Sequence, residues 1–179
     1  LQIAVIKAIA LASKVDLSLS EIAKICQKGE VDWVGVDVGI MDQLISAAGK
    51  ASQAFLIDCR SLNFEYVKIP DDIVFVVLDT NTRRELTKSE YNLRHAEVNQ
   101  AAKILGVPYL RDASLDDLIA KKKEMPDILF QRAKHVITEN LRVHKFAAAM
   151  QRDDFDQMGA ILIASHESLQ TDFEVSSEE

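Results

Sequence analysis

The stretch Glu30-Val31-Asp32-Trp33-Val34-Gly35-Val36-Asp37-Val38-Gly39-Ile40-Met41-Asp42-Gln43-Leu44-Ile45 decides how this chain is read. Its first part lacks helical periodicity and holds Gly35 and Gly39, so it reads as a loop or bent extended segment that approaches something closely. Around Gly39 or Ile40 a helix should begin and run to about Gly49, turning Ile40, Leu44, Ile45 and Ala48 toward a core. Asp42 then falls in the first turn, where unpaired N–H groups and the helix dipole favour a negative charge. With Glu30 on the preceding loop, one acid can accept a proton from a substrate hydroxyl while the other holds a metal. The structural alternative is an acid that only stabilises its own helix.

Working outward, residues 1–13 are apolar nearly all round, as expected for a helix packed inside a larger domain. Ser18-Leu19-Ser20-Glu21 spells a capping box that opens a second helix, which should stop near Gly29. Downstream, residues 54–58, 64–69 and 73–78 are short apolar runs separated by turn chemistry, and predict three strands. From Thr87 the pattern is helical to the end. Thr87-Lys88-Ser89-Glu90 is another capping-box spelling, Gly106 and Pro108 close that helix, and Ser114 to Asp117 opens a short one. Two longer helices are expected over 128–150 and 154–172, broken at Arg152-Asp153. The order is that of an α+β fold, with further strands expected beyond residue 179. The chain also starts within a helical pattern and without methionine, which reads as a fragment.

The 179 residues carry a formal net charge of −7, so no basic surplus exists to neutralise a nucleic acid. A nucleotide remains possible, because phosphate can be held by backbone N–H groups or a metal ion. Cys26 and Cys59 are too few for a disulfide framework and sit among apolar residues, as reduced core cysteines do. The four histidines fall at no close metal-ligand spacing; His135 and Glu139 can share a helix face, but the zincin pattern is absent. No run reaches the roughly 18 apolar residues of a membrane span. The apolar opening, with Lys7 in its middle, reads as a buried helix rather than a leader, and the expected location is cytoplasmic.

Glu30, Val34-Gly35 and Gly39-Ile40-Met41-Asp42-Gln43-Leu44-Ile45-Ser46 together resemble the acidic loop and catalytic helix of galactokinases, members of the GHMP small-molecule kinases. Leu56-Ile57-Asp58-Cys59-Arg60-Ser61-Leu62 is similar to the strand that follows in that family, and Ser89-Glu90-Tyr91-Asn92-Leu93-Arg94 to its sugar-side motif. Arg132 to Val136 with Thr138-Glu139-Asn140 resembles one of its later helices, and Ser165 to Leu169 with Asp172 to Ser176 is similar to another. Single matches of this kind are weak; five in the right order are strong.

The resemblance implies a two-domain GHMP-type architecture present in part, with 1–69 ending the N-terminal domain and 70–179 opening the C-terminal one. It implies transfer of the ATP γ-phosphoryl group, with Mg²⁺, to the C1 hydroxyl of galactose, and neither a nucleic-acid nor a membrane partner. Asp42 is then the base beside C1, Gly39 and Tyr91 are substrate contacts, and Glu30 is the magnesium ligand. Gly29 and Val31 depart from the family's usual small and polar neighbours of Glu30, and Val38 stands where cysteine is common. Arg83, Arg84 and Arg94 are candidate phosphate clamps, with pairing of Arg94 to Glu90 or Glu97 as the structural alternative. The family's early sugar motif, its phosphate loop and its last glycine-rich motif have no counterpart here, so the fragment alone is expected to be inactive. The alternative readings are a kinase for a related sugar such as N-acetylgalactosamine and a non-catalytic sensor on the same fold that binds galactose and ATP, with the retained Asp42 and Glu30 favouring the enzyme.

Overall fold

In the computed structural model, residues 1–35, 38–79 and 88–176 are described, with the backbone alone for Val34 and 88–92. They form two compact units, Leu1–Asp71 and Asp72–Glu179.

The first unit opens with α1 (Gln2–Ala12) and α2 (Leu19–Gly29). Ser18 caps α2 as its spelling predicts: the hydroxyl accepts from the Glu21 N–H at 3.2 Å, and Glu21 accepts from the Ser18 N–H at 2.8 Å. Those bonds hold the Glu21 carboxyl below its ordinary range. Gly29 does not end the winding. The chain continues through a π-helical turn, Glu30–Val34, in which the Gly35 N–H donates to the Glu30 carbonyl at 3.1 Å. The expected loop or extended segment is therefore a widened helical turn here, stopped by Gly35 at φ 72°. Val36 and Asp37 lie outside the described residues.

Helix α3 (Met41–Ala48) packs on α2. Ile3, Ile22, Cys26 and Ala47 form one apolar cluster, while Ala23, Ile40 and Leu44 form another against Phe55, Ile57 and Leu62. Ile45, expected in the core, is exposed; Gln43 and Ala47 are buried in its place. Helical geometry explains the change, because 40, 43, 44 and 47 make one stripe and 45 falls beside it. Strands β1 (Gln53–Ile57) and β2 (Phe64–Lys68) pair antiparallel, with Gln53 opposite Lys68 and Ile57 opposite Phe64. Phe55, Phe64 and Tyr66 gather on one face, and the Tyr66 hydroxyl donates to the Ala48 carbonyl, tying hairpin to helix. In the turn between the strands, Asp58 accepts from the Arg60 and Ser61 N–H groups, and Cys59 is exposed rather than in the core.

The third expected strand does not form. Residues 73–78 have no regular structure, and Val74 to Leu78 are 73–92% exposed. A β-rich composition needs a neighbouring strand to complete its ladder, and the described residues supply none beside this run.

In the second unit, α4 (Lys88–Leu105) ends at Gly106, whose φ is 73°. The capping-box reading at Thr87 to Glu90 lies outside the described residues and side chains. Ser114 and Asp117 form a complete capping box that opens α5 (Leu115–Ala120). Helices α6 (Asp127–Met150) and α7 (Phe155–Thr171) follow, separated by a break at Asp153, whose φ is 53°. Ala101, Ala102, Leu110, Leu118, Met125, Leu129, Ala133 and Ile137 make the core of this unit. No described helix is long and apolar enough to cross a membrane.

Candidate functional site

Packing of α2 on α3 sets the end of one helix beside the start of the other, and brings Glu30 to the first turn of α3. The Gln43 amide donates from Nε2 to Glu30 Oε2 at 2.8 Å. Gln27 Nε2 donates to the Val38 carbonyl at 2.9 Å and fixes the backbone just before Gly39. Asp42, one residue before Gln43, lies on the other side of the stripe and is exposed. It has no hydrogen bond or ion pair among the described residues. Glu30 is half-buried, Asp32 pairs with Lys28, and Gly39 is exposed with open space where a Cβ would stand. The fold of this unit by itself thus makes no demand for glycine at position 39.

An open cleft of about 440 Å³ adjoins this corner. Lys24 and Gln27 of α2, Gly39 to Met41, and the Cys59 to Leu62 turn line it. Two motifs singled out in the sequence, the one before α3 and the one after β1, therefore face a common opening. Asp42 borders this region without lining the cleft.

Tyr91 belongs to α4 in the second unit, and its side chain lies outside the described residues, as do Arg83 and Arg84. Arg94 is described and engaged. It donates to the carbonyls of Phe173 at 2.8 Å and Glu174 at 3.0 Å, and pairs with Glu97 at 3.2 Å. The pairing to Glu97 offered as its structural alternative is present.

The later motifs close on one another in the same way. Arg132, 1% exposed, donates to Glu97 at 2.9 Å, the Asp172 carbonyl at 2.6 Å and Glu174 at 2.6 Å. Burial opposes the charge of Arg132, but the two carboxylates outweigh it and its pKa moves up, while that of Glu174 moves down. His135 bonds Ser168 at 2.9 Å and stacks on Phe173, and burial lowers its pKa. Ser165 donates to Glu139 at 2.6 Å, and Arg142 donates to it at 2.7 Å. Burial alone would raise the Glu139 pKa, yet these two bonds bring it below the ordinary value. His135 and Glu139 hold no metal cluster with a third ligand among the described residues.

Sequence reasoning missed Gln43 as a partner of Glu30. The available signal was a polar residue inside the apolar stripe of Ile40, Leu44 and Ala47.

No protein-family model matches the chain. A galactokinase from Thermotoga neapolitana is 41% identical over 160 residues, which is 89% of this chain and 45% of that protein. The crystal structure of Lactococcus lactis galactokinase complexed with galactose matches with TM-score 0.82 and 30% identity, over 92% of this chain and 44% of that one. The chain thus spans a little under half the length of the relatives it matches. Across about nine-tenths of its own length the chain is similar in sequence to part of a galactokinase and shares its GHMP-kinase fold, as its motifs led one to expect.

Proposed function

We propose that the complete protein carrying this chain is a galactokinase, which phosphorylates the C1 hydroxyl of galactose with ATP. The observation that carries this is the 41% identity to a galactokinase over 89% of the chain, a span that includes most of its motifs. The solved relative is bound to galactose, which supports the same substrate class here. Residues 1–69 would then end the N-terminal domain and 70–179 open the C-terminal one, and the enzyme would work in the cytoplasm.

In the proposed chemistry the C1 oxygen attacks the γ-phosphorus as the bond to the bridging oxygen of ADP breaks. Asp42 accepts the C1 proton, or favours its departure by charge, because phosphoryl transfer depends mainly on positioning and charge neutralisation. Exposure of Asp42 at the start of α3 leaves it open to a substrate. Gly39 admits the sugar close to the backbone, and Tyr91 offers a phenol to it. For Mg²⁺ the donor set fits: Glu30 is a hard carboxylate with one oxygen bonded by Gln43, and the carbonyl oxygen of the same Gln43 amide is buried with no partner among the described residues. One carboxylate suffices where phosphate oxygens and water complete the shell. Bound there, the ion would neutralise charge on the phosphate oxygens.

³¹P NMR of the complete protein with ATP, Mg²⁺ and galactose tests this, with galactose 1-phosphate as the expected product. Phosphorylation of N-acetylgalactosamine in preference would reassign the substrate. Binding of ATP and galactose without product would make the protein a sensor. Residues 1–28 contain no glycine and therefore no glycine-rich phosphate loop, and the isolated 179 residues are expected to give no product.

A further inference from the structure

We propose that Gln43 is the positioning residue for Glu30: its amide N–H holds one carboxylate oxygen, and its carbonyl oxygen accepts a hydrogen bond from water on the cation that Glu30 ligates. The inference rests on the galactokinase reading of Glu30 and goes beyond it in giving Gln43 two separate duties.

Gln43 is 7% exposed and lies in the stripe of Ile40, Leu44 and Ala47 on α3, which packs against α2. An apolar residue of similar volume would fill that place without polar atoms to satisfy. Instead an amide is buried, and among the described residues only its donor end is used. Nε2 donates to Glu30 Oε2 at 2.8 Å, while Oε1 is buried with no partner among those residues. Rotating the amide by half a turn gives no relief, because it would set carbonyl oxygen against carboxylate oxygen, two acceptors with no proton between them. Buried carbonyl oxygens are normally paired, so this one marks a place where a donor is to be supplied.

The identity of the donor follows from the neighbours. Glu30 is itself acceptor-only when ionised, and one of its oxygens is already held by Gln43. A carboxylate and an amide oxygen carried by two side chains already bonded to each other suit a hydrated cation, which offers a coordination position to one and a water proton to the other. Magnesium keeps several of its waters when bound through one or two carboxylates, so the chemistry matches. Groups that orient a metal ligand in this manner typically change metal affinity by about 10- to 100-fold when removed.

The test uses the complete enzyme with Mn²⁺ as an EPR probe in the presence of ADP, comparing Gln43→Met, Gln43→Asn and Glu30→Gln. Gln43→Met removes both polar ends at similar size, and Gln43→Asn keeps the amide but shortens its reach. Both should weaken Mn²⁺ binding by on the order of tenfold. The KM for galactose should stay near that of the parent, and lost turnover should recover at raised Mg²⁺, which a general packing defect would not produce. Unchanged Mn²⁺ affinity in the Gln43 variants, with affinity lost in Glu30→Gln, overturns the role of Gln43 and leaves Glu30 as ligand. Unchanged affinity in all three sinks both assignments. Should Gln43→Met lower the unfolding midpoint, Gln43→Asn, measured below its own midpoint, decides.

Discussion

In Leu1–Asp71 the two candidate site acids, Asp42 and Glu30, remain partly free among the described residues, whereas in Asp72–Glu179 Arg94, Arg132, Glu139 and Glu174 are closed on partners within the unit. Asp42 is exposed, and Glu30 is bonded only through one oxygen to Gln43 among the described residues. Arg132, by contrast, is buried and uses three separate donors on Glu97, Glu174 and the Asp172 carbonyl. Arg94 adds bonds to the carbonyls of Phe173 and Glu174. Both regions are similar to the same galactokinases, so similarity alone does not separate their roles. Saturation does: a charge whose partners lie within the fold serves the fold, and one left open is available to a ligand.

The strongest way to break that contrast is Arg132→Met. It removes a buried cation, takes the Arg132 donor from the Asp172 carbonyl, and leaves Glu97 with Arg94 alone. Removing one partner of a buried ion pair is strongly destabilising, and the half-exposed Glu174 places the loss near the lower end, about 3 kcal/mol by urea unfolding. A loss within error of zero would mean that the closed network is not holding the second unit together.

The capping boxes are closed in both units and should behave alike. Ser18→Ala and Ser114→Ala should each cost about 1 kcal/mol, read from the urea midpoint. Unequal losses would show that the units differ in more than the saturation of their motif charges.

A smaller effect is a slope with pH. His135 has a folded pKa below its ordinary 6.5, because burial disfavours the imidazolium against the mixed pull of Glu139, Arg142, Asp172 and Arg132. Its contribution is therefore present above pH 6.5 and is lost as pH falls through 6.5 toward the lower folded pKa, where only the unfolded chain takes up the proton. Urea midpoints measured from pH 7.5 to 5.5 should show a weaker pH slope for His135→Asn than for the parent. An unchanged slope would remove His135 from the account.

Local chemistry made much of this legible. Ser18 with Glu21 and Ser114 with Asp117 announce helix starts, because a capping box is complete within four residues. The β1–β2 hairpin was legible for the same reason: its turn is organised by Asp58 itself. What escaped depends on distance or on missing neighbours. The π-helical turn at Glu30 uses a bond to Gly35 that no periodicity announces, and Arg132 joins residues far apart in the chain. Residues 73–78 have strand composition, but composition cannot supply a ladder partner. Asp42 was legible as a helix-start acid from its place after Gly39, while the role proposed for it rests on resemblance. Gln43 could have been noticed as the polar member of an apolar stripe, though its partner could not.

The most direct test of the central claim is Asp42→Asn in the complete protein, with galactose 1-phosphate formation and the urea midpoint measured on the same preparation. If Asp42 is an open, functional charge, turnover should fall by about 100-fold or more while the midpoint stays with that of the parent. Turnover close to the parent's, or a loss matched by an equal loss of stability, would contradict it.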